Sequence, residues 1–169
     1  MTSMKKKTLK SLTAIQAPQP LTGRTVYVDV CVWIALLANE PGSAWLQDWL
    51  ENETGALVAS RWSMVEISSA LSIKVRRGEL TAALADELCQ RFDALVQDEL
   101  QLLPLASKDY DHAAALCRDA ASGLRAGDAL HLAVAVRSGA SYLLTLDKVM
   151  AANAEKLGLA LVRQDTQSS

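Results

Sequence analysis

The sequence has no run of about 18 consecutive apolar residues, although half of its 169 residues are hydrophobic. A membrane-spanning helix needs about 20 such residues in succession, so no membrane span is expected. Three lysines stand at positions 5–7, but the segment after them lacks the continuous apolar stretch of a secretory signal. These absences predict a cytoplasmic protein.

Cysteine is scarce as well. Cys31, Cys89 and Cys117 are odd in number, far apart and without a C-x-x-C pair. Disulfide frameworks and structural zinc sites use even numbers or closely spaced pairs of cysteines, so neither is predicted. We therefore interpret the three cysteines as small core residues in a reducing compartment.

Acidic and basic residues are unevenly distributed. The first 24 residues contain five basic residues and no acidic one, whereas the rest of the chain carries a net charge of −7. A body this acidic is not a general binder of polyanions, so contact with nucleic acid would need local basic positions, a metal ion or the tail. Residues 1–23 are predicted to be a basic, disordered tail, since short basic tails are usually solvated.

Between the tails, residues 24–163 alternate between strand patterns and helix patterns, and residues 164–169 form a C-terminal tail. β-Branched and aliphatic segments predict strands at 25–30, 56–60, 100–106, 142–146 and 159–163. Helical periodicity predicts helices at 31–39, 43–53, 62–76, 81–97, 107–121, 127–139 and 148–157. Ser43 and Ser107 are expected to cap their helices. Together these patterns predict one α/β domain, a three-layer sandwich around a parallel sheet.

Four carboxylates lie beside apolar runs: Asp29, Glu66, Asp128 and Asp147. An acid in such a place is costly unless it is paired, protonated or bound to a cation. Asp29 and Asp147 follow the first and fourth predicted strands, and parallel sheets bind ligands beyond the carboxyl ends of strands where the order reverses. Glu66 and Asp128 are expected in the first turns of helices that begin at the same edge. Four converging anions would need a divalent cation, and Mg²⁺ or Mn²⁺ with oxygen ligands fits.

Three of these acids also have a simpler structural explanation. Glu66 forms a capping-box pattern with Ser63, Asp128 suits the positive end of a helix dipole, and Asp147 suits a helix cap. Asp29 has no such explanation, because a strand-terminal acid in an apolar context lacks a routine structural role.

Five further residues are weaker candidates. His131 lies on the same helix face as the third acid and is interpreted as a core histidine, with a catalytic base as the alternative. Trp45 and Trp49, four residues apart, suit either the core or an exposed anchor for a partner. Arg125 and Lys148 flank the third and fourth acids, where they could contact phosphate or remain solvated.

The ordered series of acidic motifs resembles the PIN domain, and within it the VapC toxins of prokaryotic toxin–antitoxin pairs. The similarity covers residues 25–163 and rests on D-V-C-V-W, V-E-I-S-S-A-L, G-D-A-L-H-L-A-V-A and L-L-T-L-D. It implies a five-stranded parallel sheet of order 3-2-1-4-5. It also implies that RNA phosphodiesters are hydrolysed by a metal-activated water with Mg²⁺ or Mn²⁺ as cofactor.

The resemblance assigns the site to five residues of this chain. Asp29 and Asp128 would be the principal metal ligands, and Glu66 would complete the cluster directly or through water. Asp147 would be the fourth acid. Thr145 would supply a hydroxyl that orients water or a carboxylate. The implied partners are an RNA substrate, a VapB-type antitoxin in a groove near the early helices, and a second copy of the chain.

Two positions depart from the family pattern. Cys31 stands where Ser, Thr or Asn is usual, and a thiol is a weaker hydrogen-bond partner than a hydroxyl. Met150 replaces an aromatic residue as an apolar filler. Neither change removes a carboxylate.

Three other functions remain open on the sequence alone. A PIN nuclease could process RNA without being a toxin, and a PIN-like binding module could have lost catalysis, although all four acids are present. A phosphatase with a strand-end Asp as nucleophile is the third. Such enzymes usually carry a second Asp two residues on, where this chain has Cys31.

Overall fold

The computed structural model describes residues 23–40 and 42–164, which form a five-stranded parallel sheet. The strand order β3-β2-β1-β4-β5 confirms the expected order and the α/β class. The strands are β1 (Thr25–Val28), β2 (Ala56–Ser60), β3 (Leu100–Leu103), β4 (Tyr142–Leu144) and β5 (Ala160–Leu161). Apart from residues 23 and 164, the predicted tails lie outside the described residues.

Helices connect these strands. They are α1 (Val30–Leu37), α2 (Ala44–Asn52), α3 (Trp62–Arg76), α4 (Ala82–Asp98), α5 (Ser107–Arg118), α6 (Ala126–Ser138) and α7 (Lys148–Lys156), with a 3₁₀ turn at Ala120–Ser122. In the part of the chain that is described, no helix is long and apolar enough to cross a membrane.

The sheet separates two helical layers, because successive side chains of a strand point to opposite faces. Val26 and Val28 pack with buried residues of α1, α2, α3 and α4. Tyr27, between them, packs on the other face with α6 and α7. Helix α5 lies against α6 through Ala113 and Ala129. The predicted three-layer sandwich is therefore confirmed.

The strand order reverses between β1 and β4. The chain adds β2 and β3 on one side of β1 and then returns to its other side with β4 and β5. Val28 pairs with Leu144, and the Asp29 N–H donates to the Leu144 carbonyl at 2.9 Å. The carboxyl ends of these two strands therefore meet at the reversal, where open parallel sheets bind ligands.

Several local predictions were wrong. Ser107 is the first residue of α5 instead of its cap; the Ala106 N–H is held by the Asp109 carboxylate at 2.7 Å. Ser43 is at the N-cap position of α2, as expected, but its side chain makes no capping hydrogen bond. The predicted third strand ends early, at Leu103, because the Pro104 that follows has no N–H to donate.

The cysteine prediction is wrong for one residue. Cys117 is exposed on α5, whereas Cys31 and Cys89 are half-buried. All three are free thiols, as expected. A small apolar side chain on the outer face of a surface helix is common and costs little.

Candidate active site

Asp29 is the first residue after β1, and two side chains hold its carboxylate at the sheet edge. The residue is only 5% exposed. Its Oδ2 accepts hydrogen bonds from the Thr145 hydroxyl, at 2.7 Å, and from the Cys31 thiol, at 2.8 Å. A buried carboxylate without donors would be costly, so these two contacts are what allow the acid to lie there.

The loop after β4 is tied to the same point. The Thr145 hydroxyl, which donates to Asp29, accepts a hydrogen bond from the Asp147 N–H at 3.0 Å. The Leu146 N–H donates to the Cys31 sulfur at 3.2 Å. These bonds place the segment that carries the fourth acid beside the first acid.

Cys31 acts as a donor in this arrangement. Burial raises the pKa of its thiol, and the negative charge of Asp29 and the hydrogen bond donated to it raise it further. The thiol therefore stays protonated at neutral pH. It occupies the place of the usual hydroxyl or amide and makes the hydrogen bond that such a group could make.

Asp147 caps helix α7. Its Oδ1 accepts a hydrogen bond from the Met150 N–H at 2.8 Å, so the structural explanation from the sequence is confirmed. The cap uses one oxygen of an exposed carboxylate. The other, Oδ2, has no donor among the described residues and is available to a ligand. Met150 itself is fully buried, as expected of an apolar filler.

Glu66 does not form the capping box that the sequence suggested. Helix α3 begins at Trp62, so Glu66 lies in its second turn, and the hydroxyl of the buried Ser63 has no hydrogen-bond partner in the described structure. Instead, the Glu66 Oε2 pairs with Nε2 of His131 on α6. The expectation that Glu66 belongs to the first turn was therefore wrong, and a contact across the domain holds its carboxylate.

His131 is buried, as predicted for a core histidine, and it is bonded on both ring nitrogens. Its Nδ1 lies 2.7 Å from the Tyr27 hydroxyl, and its Nε2 faces Glu66. Burial by itself lowers the pKa of the imidazole. The hydrogen bond and charge of Glu66, together with the charges of Asp29 and Asp128, outweigh burial and raise it.

Asp128 lies in the first turn of α6. Its Oδ2 accepts a long hydrogen bond from the Arg125 N–H, at 3.4 Å, as a helix-start acid would. Burial raises the pKa of its carboxyl, and the negative charges of Asp147 and Asp29 raise it further. That repulsion shows the third acid to be electrostatically coupled to the first and fourth.

One oxygen of each acid is held by a donor of the protein, while the other has no donor within residues 23–40 and 42–164. The held oxygens are Oδ2 of Asp29, Oε2 of Glu66, Oδ2 of Asp128 and Oδ1 of Asp147. In these ranges no three His, Cys, Asp or Glu side chains are arranged to hold a metal ion together. Mg²⁺ takes only one or two direct carboxylates and keeps several waters, so a pair of these acids fits that ion.

The PIN domain profile matches residues 26–156, from β1 to the end of α7. This chain belongs to the PIN domain family. The members of that family are generally nucleases. The matched residues include all four acids and Thr145.

Solved structures share the fold of this PIN domain. VapBC2 from Rickettsia felis, bound to a DNA fragment from their promoter, is 14% identical with a TM-score of 0.58; the match covers 82% of this chain and 97% of that one. VapC20 of Mycobacterium tuberculosis, a sarcin-ricin loop cleaving toxin, is 17% identical (TM-score 0.60, 76% and 94% covered). FitAcB from Neisseria gonorrhoeae is 16% identical (TM-score 0.60, 82% and 96% covered). Among curated proteins, no sequence matches this chain.

Sequence reasoning missed one residue of the site, Tyr27. The sequence pattern places Tyr27 only in a strand, yet Tyr27 lies two residues before Asp29, so the two side chains point to the same face of the sheet. The signal in the sequence was the spacing of these residues: Tyr27 stands two residues before Asp29, and His131 stands three residues after Asp128. Arg125 and Lys148 are exposed beside the third and fourth acids, so their contact with phosphate stays a prediction.

The raised pKa of Cys31 predicts that this thiol is unreactive in the folded protein, because the thiolate is the nucleophile. With iodoacetamide at pH 8, we expect Cys31 to be labelled only after denaturation. Peptide mapping by mass spectrometry measures its rate in the native and in the denatured protein, and Cys31→Ser is the control that removes the signal. Native labelling of Cys31 as fast as in the denatured protein would contradict the assignment.

Proposed function

We propose that this PIN domain is a Mg²⁺- or Mn²⁺-dependent endoribonuclease and the toxin of a VapBC-type toxin–antitoxin pair. One observation carries the nuclease assignment. Asp29 and Asp147 lie close enough to Asp128 for their charges to raise the pKa of its carboxyl, and Glu66 lies against Gly127, directly before Asp128. Each of the four acids has one oxygen held by the protein and one without a donor among the described residues. The likeness to VapC20 and VapBC2 supports the toxin assignment.

The four acids divide into two roles in this proposal. Asp29 and Asp128 would hold the cation, since Asp29 is fixed by two donors and Asp128 is destabilised by neighbouring negative charge. Glu66 and Asp147 would hold and orient water through their free oxygens. When bound, the cation supplies a water of lowered pKa and neutralises charge on the phosphate.

Two basic residues suit the phosphate backbone of the substrate. Arg125 precedes α6, and Lys148 is the first residue of α7; both side chains are exposed next to acids of the site. The body of the chain is acidic, so such local positive charges are needed to offset repulsion of a polyanion.

The alternatives make different predictions. A catalytically inactive module could keep Asp128 and Asp147 as helix caps, but it would gain nothing from burying Asp29, so the buried Asp29 favours an enzyme. An RNA-processing nuclease would use the same site without an antitoxin. RNA cleavage that is lost on addition of EDTA would exclude the inactive module. A partner protein that inhibits cleavage would favour the toxin over the RNA-processing nuclease.

Asp29→Asn tests the metal site. The amide keeps the size of the side chain and an oxygen that can accept from Thr145, but it removes the negative charge. We expect cleavage of single-stranded RNA with Mg²⁺ to fall by on the order of 100-fold or more, the scale of losing one key electrostatic group, with no change in melting temperature of more than a few degrees. Asp86→Asn, an exposed position on α4, is the matched control. Equal activity of the two variants would refute the proposal.

An apolar patch beside the site suits a second copy of the chain. Val65 on α3 and Tyr110 on α5 are 52% and 54% exposed, which is unusual for large apolar residues. Tyr110 and Trp62 line a cavity of about 430 Å³, together with Cys117 and small residues of α5 and α6. Trp62 and Val65, three residues apart, lie on one side of α3. We propose that this patch, Trp62, Val65, Tyr110 and Cys117, is the contact of a homodimer.

Tyr110→Asp tests this contact, because it places a charge in the centre of the patch. Sedimentation velocity of the wild-type protein should show a dimer, and the variant should be a monomer with an unchanged circular dichroism spectrum. Leu84→Asp, at an exposed position of α4, should leave the dimer intact. A monomeric wild-type protein would show that the patch does not associate.

A second groove suits the antitoxin. Trp45, Leu146, Ala151, Leu161 and Val162 are among the residues that line a cavity of about 430 Å³, which also includes Thr145 of the acidic site. An apolar partner segment ending in a basic side chain would fill this groove and neutralise the acids. Trp49 is half-buried against the core and does not line the groove.

Leu146→Asp should disrupt that complex, since Leu146 is 46% exposed in the groove and its side chain makes no bond that holds the site. We expect a co-expressed VapB-type antitoxin to co-purify with the wild-type chain and to be lost from the variant. Val136→Asp, on α6, is the control. Co-purification with both variants would place the partner elsewhere.

A further inference from the structure

A chain of hydrogen bonds runs from the centre of the sheet to Glu66. The Ser60 N–H, at the end of β2, donates to the Tyr27 hydroxyl oxygen at 2.9 Å. That hydroxyl lies 2.7 Å from His131 Nδ1, and His131 Nε2 is bonded to Glu66 Oε2. Tyr27 and His131 are 0% and 1% exposed, whereas the carboxylate end is partly open to solvent.

The direction of this chain follows from its first bond. The Tyr27 oxygen accepts from a backbone N–H, so its own hydrogen is free to donate to Nδ1 of His131. A phenol is protonated at neutral pH, so that hydrogen is present. With Nδ1 as acceptor, the imidazole hydrogen lies on Nε2 and points to Glu66. A second ring proton would leave this last bond unchanged, so Glu66 faces an N–H in either state.

Gly127 leaves room for the other oxygen of Glu66, because glycine has no Cβ. A Cβ at this glycine would lie 2.9 Å from Glu66 Oε1, closer than real Cβ contacts occur. The carboxylate therefore occupies the space where residue 127 would carry a side chain, directly before Asp128. One oxygen of Glu66 is bound by His131, and the other lies at the start of the helix that carries the third acid.

We propose that Tyr27 and His131 are positioning residues, which hold Glu66 by Oε2 so that Oε1 is presented to the cation or its water. The geometry in this inference comes from the hydrogen bonds, whereas its consequence for metal binding rests on the proposed function. The Tyr27 hydroxyl serves two groups at once: it accepts from the buried Ser60 N–H and it holds Nδ1 of His131.

The metal-free protein provides the first test. Long-range ¹H–¹⁵N spectra should show a slowly exchanging Nε2–H of His131. In Tyr27→Phe, that proton should exchange faster, because the ring loses its second hydrogen bond. Tyr142→Phe, on the neighbouring strand β4 and outside the chain of bonds, is the matched control.

The second test is Mn²⁺ affinity, measured by calorimetry. Tyr27→Phe and His131→Leu should each weaken binding by about 10–100-fold, the usual effect of removing a group that orients a ligand. His131→Gln should recover part of the loss, because its amide can donate to Glu66. Gly127→Ala should also weaken binding, because a Cβ at this position would lie 2.9 Å from Glu66 Oε1 and would displace the carboxylate.

Two outcomes overturn the inference: wild-type Mn²⁺ affinity in Tyr27→Phe, His131→Leu and Gly127→Ala, or a wild-type protein that binds no Mn²⁺. Gly127→Ala serves if a core variant fails to fold. RNA cleavage by the wild-type protein decides the proposed function separately. A protein that does not cleave RNA, but whose variants lose Mn²⁺ binding as expected, would sustain the positioning role and refute the nuclease.

Discussion

The arrangement of the whole site depends on one buried carboxylate. Asp29 lies at the end of the central strand, 5% exposed, where the strand order reverses. A charge in that place is tolerated because Thr145 and Cys31 donate to one of its oxygens. Those two residues in turn bind the backbone of the loop after β4. Because the buried acid needs both donors, two segments more than 100 residues apart in the chain meet beside it.

The opposite wall of the site is built from other contacts. Glu66 on α3 is held by His131 on α6, and His131 by Tyr27 on β1, so one hydrogen-bonded chain crosses from the helical layer to the sheet. Gly127 allows α6 to begin against the Glu66 carboxylate. The two walls differ in kind. Asp29 is fixed by neighbours along the sheet edge, whereas Glu66 is fixed through the interior of the domain.

Much of the fold was accessible from the sequence. The predicted segments 56–60 and 62–76 coincide with β2 and α3, and all five strands were located, because apolar periodicity is a local property. The strand order came from the resemblance to PIN domains. Predictions about helix starts were less successful. Ser63 and Glu66 have the spacing of a capping box, but a carboxylate that can pair with His131 is not available to cap its own helix.

The sequence by itself determined which acids the chain carries, their order and, for all but Glu66, their positions at the ends of strands and the starts of helices. These follow from local patterns and from the rule that parallel strands end at one edge. Only the tertiary structure decided which oxygen of each acid is held, that the Cys31 thiol donates to Asp29, and that Tyr27 is bonded to His131. Each of these depends on a hydrogen bond between residues brought together by folding, and no local pattern encodes the distance or direction of such a bond.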